Sequence, residues 1–236
     1  MTDPRGVIFD MDGVLVNSEP LHLRATQEIL AAHGVTLTDE DYFLRYIVYS
    51  DRELMELLLP DATARPAAAT AKSRRYLELV QAGVPAFPDG LGLLMRTDGW
   101  QVGLATGSLR REAELALDSL GIRERFQIIV TREDCVNGKP HPEPFLRAAE
   151  GLGLPPERCV VVEDTPGGIR AAKAAGMRCV AVTHSCPEDS LREADLIVDD
   201  LGAVDLDALV PGARRTKQRR WSMNSRKSRV AGGLSV

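Results

Sequence analysis

Asp10 and Asp12 close an apolar run, "GVIFD", and Gly13 follows at once. Two carboxylates one residue apart at the end of a buried strand are costly unless something meets their charge. Three further stretches place chemistry-bearing residues in similar positions. "LATGS" ends a second apolar run with Thr106, Gly107 and Ser108, and "CVVVED" ends a third in Glu163 and Asp164. "TREDCVNGKPHPEPF" brings Lys139 just ahead of a helical pattern. If these runs are parallel strands of one open sheet, their carboxyl ends share the edge where such sheets gather their ligands. Carboxylates collected there call for a hard divalent cation with oxygen ligands, such as Mg²⁺. Thr106, the amides after it and Lys139 then offer donors to an anion beside that metal, and a phosphate group fits between the two.

Taken singly, each stretch has a plainer reading. An aspartate after a strand is often a helix cap, and Ser108 in "TGS" reads equally well as one. "GKP" alone is a turn with a solvated lysine, and "EDTPGG" fits a cap with proline at the first helical position. The common position at strand ends is what argues for a site. A calcium loop starting at Asp10 fails, because its sixth position needs glycine and holds Leu15. "NGKP" lacks the earlier glycine and the following Ser or Thr of a nucleotide-binding phosphate loop.

The elements that must position these residues are legible in the hydrophobic pattern. Strands are expected at 6–10, 101–106, 126–130, 159–164, 179–183 and 195–198, each apolar enough to be buried on both faces. Helical spacing occupies 109–120, 142–151 and 165–175, with Gly121, Gly151 to Gly153 and Gly176 at their ends. Strands alternating with helices predict an α/β fold, a Rossmann-like parallel sheet core flanked by helices. Between the first two strands lie about ninety residues without a strand pattern, whereas 21–34, 51–59 and 69–83 have helical spacing. That predicts an inserted all-helical cap domain over 17–85, with hinges near 16–20 and 84–88, on a core built from 1–16 and 86–211.

The 236 residues, 44% hydrophobic and 27% charged, describe an ordinary globular chain. No apolar run approaches the roughly 20 residues of a membrane span. The first residues show no signal-peptide pattern. Cys135, Cys159, Cys179 and Cys186 lack metal-site spacing, which points to a reducing, cytoplasmic setting. The net charge of −5 conceals an asymmetry: residues 212–236 hold eight Lys or Arg and no acid, leaving the first 211 residues at −13. Such an acidic body disfavours nucleic acid, and the basic tail reads as disordered.

"FDMDGVL", "LATGS", "GKPHPEPF" and "VVVEDTPGGIRAAKAAGM" together resemble the four ordered motifs of the haloacid dehalogenase superfamily. The branch resembled carries a helical cap after the first motif and includes β-phosphoglucomutase-like proteins and small phosphatases. The resemblance implies that Asp10 is a nucleophile forming an aspartyl-phosphate and that Asp12 is the general acid and base. It implies Mg²⁺ held by the Asp10 side chain, the Asp12 carbonyl and Asp164, with Glu163 assisting. Thr106, Gly107, Ser108 and Lys139 would hold the phosphoryl oxygens. Dehalogenases of the superfamily lack the second aspartate, so Asp12 argues for phosphoryl transfer. His22 stands where the mutases carry a histidine linking cap closure to catalysis, its plainer reading being a helix residue. Mutases also carry Gly-x-Ser-Arg in the cap to grip a second phosphate. Here "IVYSDRELM" puts Val48 and Asp51 in the places of the glycine and arginine, with Arg52 one position on as the nearest replacement. The expectation is a monomeric Mg²⁺-dependent phosphatase of a small phosphorylated metabolite, a sugar phosphate or phosphoglycolate-like compound. A β-phosphoglucomutase-like isomerase and a non-catalytic binding module are the alternatives.

Overall fold

All six expected strands form, in a computed structural model that describes residues 4–46 and 49–210. They are β1 (Gly6–Phe9), β2 (Gln101–Ala105), β3 (Ile128–Val130), β4 (Cys159–Glu163), β5 (Arg178–Val182) and β6 (Leu196–Val198). The sheet order is β3-β2-β1-β4-β5-β6, and every neighbouring pair is parallel. Period-two alternation divides the side chains between two cores. Val7, Phe9, Leu104, Val160 and Val162 face one side, while Ile8, Ala105, Val161, Cys179 and Ala181 face the other, packed on Phe145 and Ile169. Burying each large side chain in this way contributes roughly 1.5–3 kcal/mol. Cys159 and Cys179 are buried free thiols that fill these cores.

Register decides where the chemistry collects. Phe9 lies opposite both Leu104 and Val162, so β1, β2 and β4 finish at one level. Asp10, Thr106 and Asp164 therefore leave the sheet on the same edge, at the point where strand order reverses around β1.

Crossover helices cover the sheet: α6 (Arg110–Ser119), α7 (Glu143–Gly151) and α8 (Pro166–Ala174). Each is slightly shorter than its hydrophobic pattern, and Gly121, Gly153 and Gly176 follow with φ of +66°, +67° and +79°. One helix was not legible in the pattern: α5 (Pro88–Met95), sequence PDGLGLLM. Its two glycines argue against a helix on propensity alone. Tertiary packing overrides them, since Leu93 and Leu94 are buried and a Cβ on Gly90 would stand 2.0 Å from the Val14 carbonyl oxygen.

Between β1 and β2 the described residues are helical: α1 (Glu19–Ala32), α2 (Asp39–Asp41), a wider turn over Tyr42–Tyr46, α3 (Asp51–Leu58) and α4 (Arg65–Ala82). Leu23, Leu30, Leu37, Tyr42, Leu54, Met55, Leu59 and Ala68 form a separate hydrophobic cluster among them. Helix α4 is shared. Ala68 belongs to that cluster, whereas Tyr76, Leu79 and Val80 join the core beneath β1 and β2. The two connections run side by side: Asn17 N donates to Pro85 O at 2.8 Å, and Phe87 N donates to Leu15 O at 3.0 Å. No helix among the described residues is long and apolar enough to cross a membrane. The basic tail of 212–236 lies outside the described residues, as does Val48.

Candidate active site

Asp10 follows β1 directly, its N–H donating to Val162 O at 2.9 Å. Lys139 reaches it from the loop before α7, with Nζ 2.6 Å from Asp10 Oδ1 and 2.7 Å from Glu163 Oε1. The loop that carries Lys139 is strapped down locally. Glu143 accepts the amides of Val136 and Asn137, while His141 Nδ1 accepts the amide of Glu143. Those amides and Arg147 lower the Glu143 carboxyl to about 2, so the strap stays charged at neutral pH. His141 thus shapes the loop that presents the lysine.

Glu163, fully buried at the end of β4, uses both oxygens. Oε1 takes Lys139; Oε2 accepts the amides of Asp164 and Thr165 and the Thr165 hydroxyl. Thr165 itself caps α8, its hydroxyl accepting Gly168 N at 3.1 Å. The capping role in "EDTPGG" therefore falls to Thr165, which frees Glu163 and Asp164 for the site. Gly168 is required sterically, because a Cβ there would lie 1.7 Å from Glu163 Oε1.

Burial raises the Asp10 carboxyl well above its ordinary range, with Lys139 opposing and Glu163 and Asp164 reinforcing the shift. Burial and the neighbouring Glu163 lift Asp164 to about 7, against a Ser185 hydrogen bond and Lys139 that favour its charge. Burial works against the Lys139 charge too, yet Asp10 and Glu163 outweigh it and hold the ammonium protonated. For Glu163, burial is likewise outweighed, and Lys139 draws the carboxyl below its usual value.

Asp10, Glu163 and Asp164 offer carboxylate oxygens within 4.8 Å of one another, all buried. Asp164 Oδ1 is the one buried side-chain polar atom among the described residues without a hydrogen-bond partner. Asp10 Oδ2 also lacks a partner among the described residues, since the Lys139 bond uses Oδ1. The backbone adds a third free oxygen. Met11 O accepts the amides of Val14, Leu15 and Val16, and Gly13 O meets His184 Nδ1 at 2.9 Å, whereas Asp12 O has no such partner among the described residues. The clustered carboxylates of Asp10, Glu163 and Asp164, with Asp164 Oδ1 unengaged, fit a hard divalent cation. Gly13 lets the turn after Asp12 pass close to Asp164. Its φ is +81°, and a Cβ would lie 1.8 Å from Asp164 Oδ2.

Asp12 is held differently, by hydroxyls alone. Ser18 Oγ donates to Oδ1 at 2.5 Å, and Ser108 Oγ donates to Oδ2 at 2.6 Å. Ser108 is therefore not a helix cap; Leu109 occupies that position. Ser18 precedes α1, but its hydroxyl serves Asp12 and leaves the helix end uncapped. Thr106 is buried, and its Oγ1 accepts Ser108 N at 3.0 Å, which leaves its own proton to give. Gly107 is exposed, with open space where a side chain would stand. Thr106, Gly107 and Lys139 line one cavity of about 210 Å³ with Arg132 and Cys135.

His22 lies on α1, one turn after Ser18. Its ring stacks on Tyr76 with centroids 3.8 Å apart, and Nδ1 is 2.7 Å from Lys72 Nζ. Burial and the neighbouring ammonium lower the imidazole to about 3, so His22 is neutral. Lys72, only 2% exposed, also bonds Asp51 Oδ1 at 2.5 Å. Arg52 does not join this group; it bonds Glu56 on the surface, 85% exposed.

Sequence reasoning did not single out Ser18, Lys72 or His184. Lys72 left a signal: it interrupts the otherwise apolar stripe of Ala68, Tyr76, Leu79 and Val80 on α4. His184 is a tether. Its Nδ1 lies at Gly13 O, its Nε2 3.2 Å from Asp89 Oδ2, and its ring stacks on Phe87 at 4.0 Å. It thereby links the Asp12–Gly13 turn to the start of α5.

Relatives bear on this arrangement. The chain is 32% identical over 219 residues to validoxylamine A 7'-phosphate phosphatase of Streptomyces hygroscopicus subsp. limoneus, covering 84% of this chain and 94% of that one. Identity is also 32% over 226 residues with the phosphoglycolate phosphatase of Salmonella typhimurium, covering 83% and 88%. A third match, the chloroplastic protein Suppressor of Quenching 1 of Arabidopsis thaliana, is 32% identical over 218 residues, which make up 87% of this chain but only 20% of that protein. Among solved structures, CbbY from Rhodobacter sphaeroides in complex with xylulose-(1,5)bisphosphate superposes with a TM-score of 0.73 at 27% identity, covering 88% of this chain and 99% of that chain. The family profile for haloacid dehalogenase-like hydrolase matches residues 4–176, taking in β1, the helical insertion, the strand ends that carry Asp10, Thr106 and Asp164, and the loop that carries Lys139. On that match and those identities, the chain belongs to the haloacid dehalogenase-like hydrolases.

Proposed function

We propose that the protein is a Mg²⁺-dependent phosphatase acting on a small phosphorylated metabolite through an aspartyl-phosphate on Asp10. The observation that carries this reading is the pairing of two differently held carboxylates. Asp10 is fixed by an ammonium with one oxygen free, whereas Asp12, two residues on, is fixed by hydroxyls alone. A carboxylate oxygen of Asp10 attacks phosphorus in line, the P–O bond to the substrate breaks, and Asp12, as general acid, delivers a proton to the leaving oxygen. Water then attacks the aspartyl-phosphate and gives its proton to Asp12; phosphate leaves, and the Asp10 carboxylate is restored.

Asp10, Asp164 and the Asp12 carbonyl are the groups that would hold the metal, and its chemistry there is to neutralise the phosphoryl oxygens. Glu163, with both oxygens engaged, supports the site by holding Lys139 and the turn into α8. Lys139, Thr106 and the Gly107 and Ser108 amides donate to the phosphoryl oxygens. Residues 17–85 act as a cap on the core of 1–16 and 86–211. Ser18, at the first hinge, makes Asp12 answer to the position of that cap.

Phosphatases acting on phosphorylated small molecules among the relatives support this reading. The test is phosphate release from a panel of phosphorylated metabolites with Mg²⁺ present and with it chelated. Metal-dependent release is expected. Conversion of β-glucose 1-phosphate to glucose 6-phosphate with negligible release would favour the isomerase instead.

A further inference from the structure

Ser18 and Ser108, whose hydroxyls hold Asp12, lead into helices that carry a second layer of charge. Lys72 is its cation, and it is already committed. Its Nζ is bonded to Asp51 Oδ1 at 2.5 Å and lies 2.7 Å from His22 Nδ1. Asp51 is itself fixed, with Ser73 Oγ donating to Oδ2 at 3.0 Å. It opens α3 in a capping box between Ser50 and Glu53, so both its side chain and its backbone are anchored. The remaining charged groups are acidic. Glu19 accepts the Tyr42 hydroxyl at 2.5 Å, and Glu112 on α6 accepts the Leu109 amide at 3.0 Å. Burial raises both carboxyls; Asp12 and Asp51 reinforce the shift in each, and Lys72 opposes it. Glu19 follows Ser18 in the chain, and Glu112 accepts the amide next to Ser108, so both flank the hydroxyls that hold Asp12. His22, stacked on Tyr76 between Lys72 and the hinge, contributes no charge.

A second phosphate or a carboxylate entering this layer meets three acidic side chains and one ammonium that a buried ion pair already holds. To use Lys72 it must break that pair and leave Asp51 beside a like charge. Hydroxyl and ammonium groups meet no such obstacle, because carboxylates accept hydrogen bonds from both. We infer that Asp51 is a specificity-determining residue, and that the substrate is the monophosphate of a neutral or amine-bearing polyhydroxylated molecule, with no second anionic group. This rests on the phosphatase reading for the position of the phosphate, and it narrows the substrate class.

The test uses four probes: glucose 6-phosphate, glucosamine 6-phosphate, 6-phosphogluconate and glucose 1,6-bisphosphate. Their binding to the full-length Asp10→Asn protein with Mg²⁺ is measured by calorimetry, which needs no turnover. The neutral and amino sugar phosphates should bind at least about 10-fold more tightly than the two with an extra anion. Asp51→Asn, added to the same background, should narrow the gap to within about 3-fold by releasing Lys72. Equal or tighter binding of either anionic probe overturns the inference, as does no detectable binding of the neutral and amino probes. So does an Asp51→Asn protein that folds and leaves the ratio unchanged. Phosphate release by the parent protein is followed separately, so its absence counts against the phosphatase reading alone and the binding order against the charge argument alone.

Discussion

Replacing Lys139 with methionine should cost the protein both activity and a large share of its stability. The side chain is 14% exposed and lies 2.6 and 2.7 Å from two carboxylates that are themselves almost inaccessible. At an effective dielectric near 20, each contact carries about 6 kcal/mol of attraction before desolvation is counted. Desolvation of three buried ions offsets most of that, so the ion cluster adds little net stability. Removing the cation alone is another matter, because Asp10 and Glu163 stay buried beside each other with nothing between them. Breaking a buried pair in this way typically costs about 3–5 kcal/mol, and methionine preserves the aliphatic volume against Phe145. For a chain of this length that corresponds to roughly 6–20 °C in Tm.

The pH dependence has a defined sign. Lys139 holds Glu163 below its ordinary value, so this stabilisation is full above about 4.5 and is lost as pH falls through the lower folded value. The difference between parent and Lys139→Met should therefore be widest near neutrality and shrink below pH 4.5. Guanidinium unfolding across pH, read by tryptophan fluorescence and circular dichroism, measures it. A loss under about 0.5 kcal/mol at pH 7, or a difference that grows on acidification, would refute the reasoning.

Other expectations follow from single contacts. Gly13→Ala forces φ of +81° on a residue with a Cβ and drives it into Asp164, so a loss of about 2–4 kcal/mol and of metal-dependent activity should appear together. His184→Ala removes the tether at Gly13 O, and stability should fall by about 1–2 kcal/mol with kcat reduced more than KM; unchanged kcat would show that the turn needs no tether. With metal chelated, Asp164 has a folded pKa of about 7 against 3.8 in the unfolded chain, so the folded form holds its proton across that window. Stability of the chelated protein should thus decline from pH 4 to 7, and the rise in Tm on adding Mg²⁺ should grow over the same range. A constant Mg²⁺ increment would count against Asp164 as a ligand.

Much of the site was legible because strands announce their own ends. A parallel strand buried on both faces cannot extend past a carboxylate without a reason, so Asp10, Thr106, Glu163 and Asp164 marked the functional edge before any coordinates did. The pattern could not say which residue capped α8, since Asp164 and Thr165 are both good caps, and only the hydroxyl of Thr165 reaches Gly168 N. Helix α5 was hidden because its stability comes from Leu93, Leu94 and the close approach to Val14, and its own sequence does not favour a helix. Ser18 and His184 were hidden for a related reason. Each acts through a partner that only folding brings near, Asp12 in one case and Gly13 in the other. The pairing of Asp51 with Lys72 spans two helices of the insertion, and no local period records it.

The most direct test of the central claim is to quench the enzyme with acid during turnover of a hydrolysed substrate and map the phosphorylated residue by mass spectrometry. The account predicts one phosphoryl group on the peptide containing Asp10, present in the parent and absent from Asp10→Asn. Sustained phosphate release by Asp10→Asn, or a phosphoryl group on any other residue, would contradict it.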